Sequence, residues 1–235
     1  LKKAPKLLES LDRAILFDEI LNSNDWEYLR PRADSMRYFE DLKSLISLLK
    51  RERITAKDFG SAVKKEIKFL ERDEGSLSTR GESKGEMKKE VQKEIESLRR
   101  SGEVVKFIEL YEAAKKEKNL LDYDDVLESL VELVENSKEV LAQIRERYLF
   151  VLVDEHQDSS RVQNEFLTQV WASLEKPDIF VVGDDRQLIY GFSGASIEYF
   201  KNFQNLQNTS LQVMDNSYEN STIERFIYYL NFPFL

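Results

Sequence analysis

Residues 148–158 read Tyr-Leu-Phe-Val-Leu-Val-Asp-Glu-His-Gln-Asp, an apolar run that ends abruptly in acids. The β-branched and aromatic content of 148–153 predicts a buried β-strand. In an open α/β sheet, ligands bind at the edge formed by the carboxyl ends of the parallel strands. The strand would deliver Asp154 and Glu155 to that edge, where one acid can hold Mg²⁺ and the other can polarise a water molecule. Taken alone, the run equally fits a carboxylate that only caps the next helix.

A second apolar run, Ile-Phe-Val-Val-Gly at 179–183, also ends in acids, Asp184 and Asp185. It is followed at 187–195 by Gln-Leu-Ile-Tyr-Gly-Phe-Ser-Gly-Ala. A third strand candidate, Ser-Leu-Gln-Val-Met, occupies 210–214. We therefore predict an α/β fold in which strands at about 148–153, 179–182 and 210–214 form one parallel sheet, with the first of them in its centre.

Upstream of this region, apolar residues recur at helical spacing. Thr55 followed by Asp58 resembles a capping box, and Asp122 fits the cap of a later helix. The polar, glycine-containing residues 73–86 predict a mobile loop or linker. Helices are predicted at about 6–22, 35–51, 55–71, 87–100, 104–118, 123–135, 137–147 and 161–174, with further ones at 197–203 and from 222 onward.

The order of the two acid-ended runs resembles a known family. Asp-Glu-x-Gln-Asp, followed about 25 residues later by Gly-Asp-x-x-Gln-x-Ile-Tyr-x-Phe-x-Gly-Ala, is similar to motifs II and III of UvrD/Rep/PcrA-like superfamily 1 DNA helicases. The resemblance implies a partial RecA-like P-loop NTPase sheet, part of the domain called 1A, with a mainly helical insertion domain, 1B. It implies that residues 1–118 are the 1B-like insertion and that 119–235 are the carboxyl part of domain 1A.

The resemblance also implies a site for ATP and Mg²⁺. Asp154 matches the acid that holds Mg²⁺ through water, and Glu155 matches the catalytic acid. Gln157 and Asp158 match the remainder of the nucleotide-binding box. Gln187 matches a residue that senses the γ-phosphate, a task that suits a neutral amide because it can both donate and accept hydrogen bonds.

Single-stranded DNA and duplex junctions are the implied partners. Tyr190 and Phe192 match aromatic residues on which bases stack; ordinary core packing is the alternative for both. Two positions depart from the family pattern. Ser193 stands where Arg is usual, and Glu219, in a degenerate motif IV, stands where an Arg usually reaches the γ-phosphate, which implies altered phosphate sensing.

The implied function is that of an ATP-dependent DNA helicase moving 3′ to 5′. The sequence contains no Gly-x-x-x-x-Gly-Lys-Ser/Thr loop. We therefore expect the chain to be an internal fragment of a longer helicase that does not hydrolyse ATP alone. The alternatives are a helicase subunit of a RecB/AddA-type helicase–nuclease, and a degenerate helicase-like module that binds DNA or protein without turnover.

Composition narrows the remaining classes. The chain has 41% hydrophobic and 34% charged residues, a net charge of −9, no cysteine and one histidine. Disulfides, thiolate sites and multi-histidine metal centres are excluded. The acidic balance argues against a nonspecific nucleic-acid coat. No apolar stretch is long enough for a bilayer, so we expect a cytoplasmic protein without membrane contact.

Overall fold

The computed structural model describes residues 4–29, 38–79, 84–172, 179–183, 198–199, 209–216 and 223–230. The chain divides into two compact units. Leu1–Leu49 with Ile54–Tyr123 form the first, called the helical unit. Lys50–Arg53 with Asp124–Leu235 form the second, called the sheet unit. None of the helices in the described ranges is both long and apolar enough to cross a membrane.

The described residues of the helical unit form four α-helices and a two-stranded parallel pair. The predicted helix at 6–22 is shorter than expected, because Lys6–Leu7 pair with Leu120–Leu121 as strands. That pairing joins residues more than 100 positions apart, which local spacing cannot reveal. The elements are β1 (Lys6–Leu7), α1 (Ser10–Asn22), α2 (Phe39–Arg51, in this unit up to Leu49), α3 (Ala56–Arg72), α4 (Lys89–Lys118) and β2 (Leu120–Leu121).

The core of the helical unit is aromatic. Phe17 on α1 contacts Phe39 on α2 and both Phe107 and Tyr111 on α4, with ring centroids 4.9–5.3 Å apart. The T-shaped arrangement of the last two pairs is a favourable one for aromatic rings. These contacts fix α1, α2 and α4 to one another.

Helix α4 corrects the prediction of two helices at 87–100 and 104–118. It runs without interruption through Ser101 and Gly102 for 30 residues. A glycine inside a helix costs roughly 1 kcal/mol. Burial of Val104, Phe107 and Ile108 on the following turns offsets that cost.

The predicted loop at 73–86 has regular structure in its described part. Glu74–Ser76 form a 3₁₀ turn, and Leu77 bridges Met87 in antiparallel fashion. The N–H of Ser78 donates to the carbonyl of Glu86 at 2.8 Å. Backbone hydrogen bonds therefore give regular structure to residues for which composition alone predicts none.

The sheet unit contains a four-stranded sheet in the order β3-β4-β6-β5. β3 and β4 are parallel, as predicted, but β6 runs antiparallel to both β4 and β5. The three predicted strands therefore share one sheet and run in the same direction, but β6 lies antiparallel between the second and the third. The prediction of a purely parallel sheet is wrong, and so is the helix predicted from residue 222. The elements are α5 (Tyr123–Asn136), α6 (Lys138–Arg147), β3 (Val151–Val153), α7 (Arg161–Leu167), β4 (Ile179–Gly183), β5 (Thr209–Asn216) and β6 (Ile223–Leu230).

Strand β3 differs from the buried central strand that the sequence predicts. It spans three residues rather than 148–153, and it lies at an edge of the described sheet. Leu152 is 72% exposed on it. β4 is the buried strand, with Ile179 and Val181 packed against Val170 and Trp171. Trp171 lies in a π-helical segment, Thr168–Ala172, that continues α7.

Candidate functional site

The acids after β3 lie on a tight turn. Glu155 has φ 49°, in the left-handed region, and its N–H donates to Asp154 Oδ1 at 2.9 Å. A 3₁₀ turn, His156–Asp158, follows, and the N–H of Asp158 donates to the carbonyl of Glu155 at 2.9 Å. Both acidic side chains, those of Asp154 and Glu155, are exposed at the end of the strand. A left-handed conformation costs a residue with a Cβ about 1–2 kcal/mol, so the surrounding contacts must hold Glu155 in place.

Gln157 holds the carboxylate of Glu155. Its Nε2 donates to Glu155 Oε2 at 2.6 Å, and the Gln157 side chain is itself buried. A hydrogen bond to a charged acceptor is among the stronger ones. Within the described ranges the other oxygen, Oε1, makes no hydrogen bond.

Asp158 is a half-buried carboxyl beside Glu155. Burial, with the nearby negative charge of Glu155, raises the pKa of Asp158. Its Oδ1 is buried and has no hydrogen-bond partner within the described ranges. Two neighbouring acids with an unsatisfied oxygen are a site that a cation would stabilise.

The histidine inside the acid cluster is completely buried. Its Nε2 lies 2.7 Å from Asn164 Oδ1. Asn164 Nδ2 donates to the carbonyls of Ser159 and Ser160, at 3.2 and 2.8 Å, which fixes the orientation of the amide. His156 must therefore be the donor through Nε2–H. Burial lowers its pKa to about 4, and the hydrogen bond to Asn164 opposes that shift.

The same helix is capped beside this contact. Ser160 precedes α7, and Gln163 Oε1 accepts from both the N–H and the hydroxyl of Ser160 at 2.9 Å. The Ser-x-x-Gln pattern at 160–163 is a sequence signature of such a cap. α7 therefore begins at a defined residue directly after the acidic turn.

The chain matches the family described as the UvrD/REP helicase N-terminal domain over residues 4–208. It belongs to that family. The resemblance found in the acid-ended strands is therefore confirmed, and both the acidic turn and β4 lie within the matched region.

Relatives of this UvrD/REP domain carry helicase names. One from Natranaerobius thermophilus, named as an ATP-dependent helicase/nuclease subunit, is 36% identical over 100 residues, covering 42% of the chain and 8% of the relative. A protein of the same name from Clostridium perfringens is 33% identical over 127 residues, covering 48% and 10%. Putative ATP-dependent DNA helicase YjcD from Bacillus subtilis is 36% identical over 102 residues, covering 43% and 13%. The chain thus spans a small part of the length of the curated relatives it matches.

The residues of this UvrD/REP domain fit Mg²⁺ by their chemistry. Mg²⁺ takes oxygen ligands, retains several waters and is usually held by one or two carboxylates. Asp154 offers an exposed carboxylate whose Oδ1 accepts from the N–H of Glu155, and Asp158 offers its buried Oδ1. Both are oxygen donors of the hard type that this cation prefers.

The structure brings together four of the seven site residues that the sequence predicts. Asp154, Glu155, Gln157 and Asp158 share one turn. The remaining three, and the two departures from the family pattern, lie outside the described residues, so their roles stay predictions: Gln187, Tyr190 and Phe192, with Ser193 and Glu219. Sequence reasoning missed Asn164, whose contact with the turn depends on the placement of α7.

An arginine of the sheet unit braces the helix that carries Asn164. Arg53, between α2 and α3, donates from Nη1 to Glu135 at 2.7 Å and to Glu165 at 2.6 Å. Hydrogen bonds to both glutamates raise the pKa of Arg53. Glu165 on α7 also accepts from Arg161 Nε at 2.8 Å, and Glu135 at the end of α5 from Gln169. The ends of α5 and α7 are joined through this one guanidinium.

Proposed function

We propose that this chain is part of the motor of an ATP-dependent DNA helicase that moves 3′ to 5′ on single-stranded DNA and opens duplex junctions. The observation that carries the proposal is the turn at 154–158, where an exposed glutamate is held at a strand end by a buried glutamine. Family membership supports it independently. Two of the relatives described above are named as helicase/nuclease subunits, which favours a helicase–nuclease as the particular variant.

In the proposed reaction, Glu155 orients and polarises the water that attacks the γ-phosphate of ATP. Its Oε1 would accept from that water while Gln157 holds Oε2. Asp154 and Asp158 would hold hydrated Mg²⁺, which would supply charge stabilisation to the phosphates when bound. Phosphoryl transfer relies on such positioning and electrostatics more than on covalent chemistry by the protein.

The remaining roles are proposed from the family pattern. Gln187 would sense the γ-phosphate, and Tyr190 and Phe192 would stack single-stranded bases. Residues 1–118 would be the 1B-like insertion and 119–235 the carboxyl part of domain 1A. Glu219 would weaken phosphate sensing, since a carboxylate repels phosphate.

Glu155→Gln tests the central role in the complete enzyme, which must also supply the phosphate-binding loop. The amide keeps the size of the side chain but removes the charge that polarises water. We expect ATP binding within about twofold of the parent and turnover reduced by roughly 100-fold or more. Glu146→Gln, the same change at an exposed position on α6, is the matched control. Near-normal turnover in Glu155→Gln would rule out the assignment, and with it the interpretation of the turn as a hydrolysis site.

A further inference from the structure

We infer that His156 and Asn164 are positioning residues for Glu155: they form a buried clamp that fixes the conformation in which the glutamate meets the attacking water. The inference rests on the proposed function, since it acts through Glu155. It adds to that function two buried residues that would act through Glu155.

The backbone of Glu155 is strained. Its φ of 49° is unfavourable for a residue with a side chain, and an unrestrained turn would relax to a commoner conformation. Relaxation would swing the carboxylate away from Gln157 Nε2, which lies 2.6 Å from Oε2. Something rigid must therefore hold the residues on either side of the turn.

The clamp consists of hydrogen bonds that the Asn164 side chain makes to the turn. Asn164 accepts from His156 at one end of the turn and donates to the carbonyls of Ser159 and Ser160 at the other. His156 is 0% exposed and Asn164 is 7% exposed, so water competes little for these bonds. One side chain thus ties His156, the residue after Glu155, to the backbone carbonyls at 159 and 160, and Gln157 lies between these points.

The clamp requires hydrogen-bond donors and acceptors in defined positions. The site needs one acceptor facing the imidazole and two donors facing carbonyls, which an asparagine of this length supplies. At 156 it needs a donor where the imidazole Nε2 lies. Phenylalanine would fill the volume without donating, whereas glutamine can place an amide N–H near the same point. His156→Phe and His156→Gln therefore form a matched pair that separates the hydrogen bond from the packing.

The test measures steady-state ATP hydrolysis by the complete enzyme carrying each variant. We expect His156→Phe to lower kcat by about 10- to 100-fold, since misplacing a catalytic group by about 1 Å has effects of that size. KM for ATP should stay within about twofold, because the clamp does not touch the nucleotide. His156→Gln should recover most of the lost kcat. A buried Val134→Ala in the same unit serves as a control that lowers stability without touching the turn.

A double variant separates positioning from general damage. In a Glu155→Gln background the clamp has no carboxylate left to place, so adding His156→Phe should lower kcat no further. An equal fold-loss in both backgrounds would overturn the inference, as would unchanged kcat in His156→Phe. Asn164→Asp, which keeps the acceptor but removes both donors, gives the same comparison if His156→Phe does not fold. A severe loss of kcat in Glu155→Gln together with a normal kcat in His156→Phe would overturn the clamp inference but would leave the proposed function intact.

Discussion

At the scale of single residues, the buried histidine gives a direct solution signal. The chain contains one histidine, so its imidazole resonances need no assignment by mutation. We expect a neutral ring with the proton on Nε2 throughout the range from about pH 5 to about pH 8, because burial lowers the pKa to about 4. Long-range ¹H–¹⁵N spectra of the imidazole measure tautomer and charge. A folded-state titration near the ordinary pKa of 6.5 would contradict the buried contact.

The same residue makes stability depend on pH in a defined window. Its pKa is lower in the folded state than the ordinary value of 6.5. The unfolded chain therefore takes up a proton first as the pH falls. The contribution to stability is fully present above about pH 6.5 and is lost progressively between that pH and about 4. His156→Phe should remove this component of the pH dependence, which comparison of urea midpoints across that range would measure.

Residue types predicted the acids of the site but not their support. Asp154, Glu155 and Gln157 are neighbours in sequence, so one strand end necessarily delivers them together. Asn164 reaches the turn only because α7 starts directly after Ser160 and returns its first full turn beside His156. The capping signature at 160–163 locates that start, yet the contact itself depends on tertiary packing.

At the scale of elements, Arg53 is the cross-link to test. It has φ 52° and bonds two glutamates on different helices. Arg53→Ala should destabilise the sheet unit by about 1–2 kcal/mol, a modest value because the three side chains are partly exposed. Arg53→Gly loses the same pairs but relieves the backbone, so it should cost about 0.5–1 kcal/mol less than Ala. Thermal melts followed by Trp171 fluorescence, with Trp26 replaced by Phe in every variant, measure both.

Salt provides the control for this prediction. Screening weakens partly exposed ion pairs, so the difference in melting temperature between the parent and Arg53→Ala should become smaller at high ionic strength. The difference in melting temperature between Arg53→Ala and Arg53→Gly should not change, since it arises from the backbone. Arg100→Ala, at an exposed position on α4, should leave the melting temperature unaltered at both low and high ionic strength. A salt-independent loss in Arg53→Ala would mean that packing, not charge, joins α5 to α7.

Helices were easier to predict than strands, for a local reason. Thr55 caps α3 by accepting from the N–H of Asp58 at 3.1 Å, as its spacing predicts. Helices α5 and α6 match their predicted ranges closely. β1 pairs with β2 across the whole helical unit, and β6 inserts between β4 and β5. Strand partners and order depend on distant residues, so apolar periodicity identifies β4 but not the arrangement of the sheet.

At the scale of the whole molecule, the buried apolar side chains of the described residues form two hydrophobic cores, and each contains one of the two tryptophans. Trp26 is 2% exposed in the core of the helical unit, 6.2 Å from the ring of Phe107. Trp171 is 6% exposed in the core of the sheet unit, against Phe166 at 5.7 Å. Trp171→Phe and Trp26→Phe therefore give single-tryptophan proteins that report on one core each.

These two reporters predict how the chain responds to core damage. Phe107→Ala, at a fully buried aromatic contact, should cost about 3–5 kcal/mol, and Ile179→Ala on β4 about 2–5 kcal/mol. Because the buried residues of the two cores do not overlap, we expect Phe107→Ala to lower the midpoint reported by Trp26 and leave that of Trp171 within error. Ile179→Ala should do the reverse. Urea unfolding followed at both tryptophans measures this, and equal shifts at both reporters would show that the cores unfold as one cooperative unit.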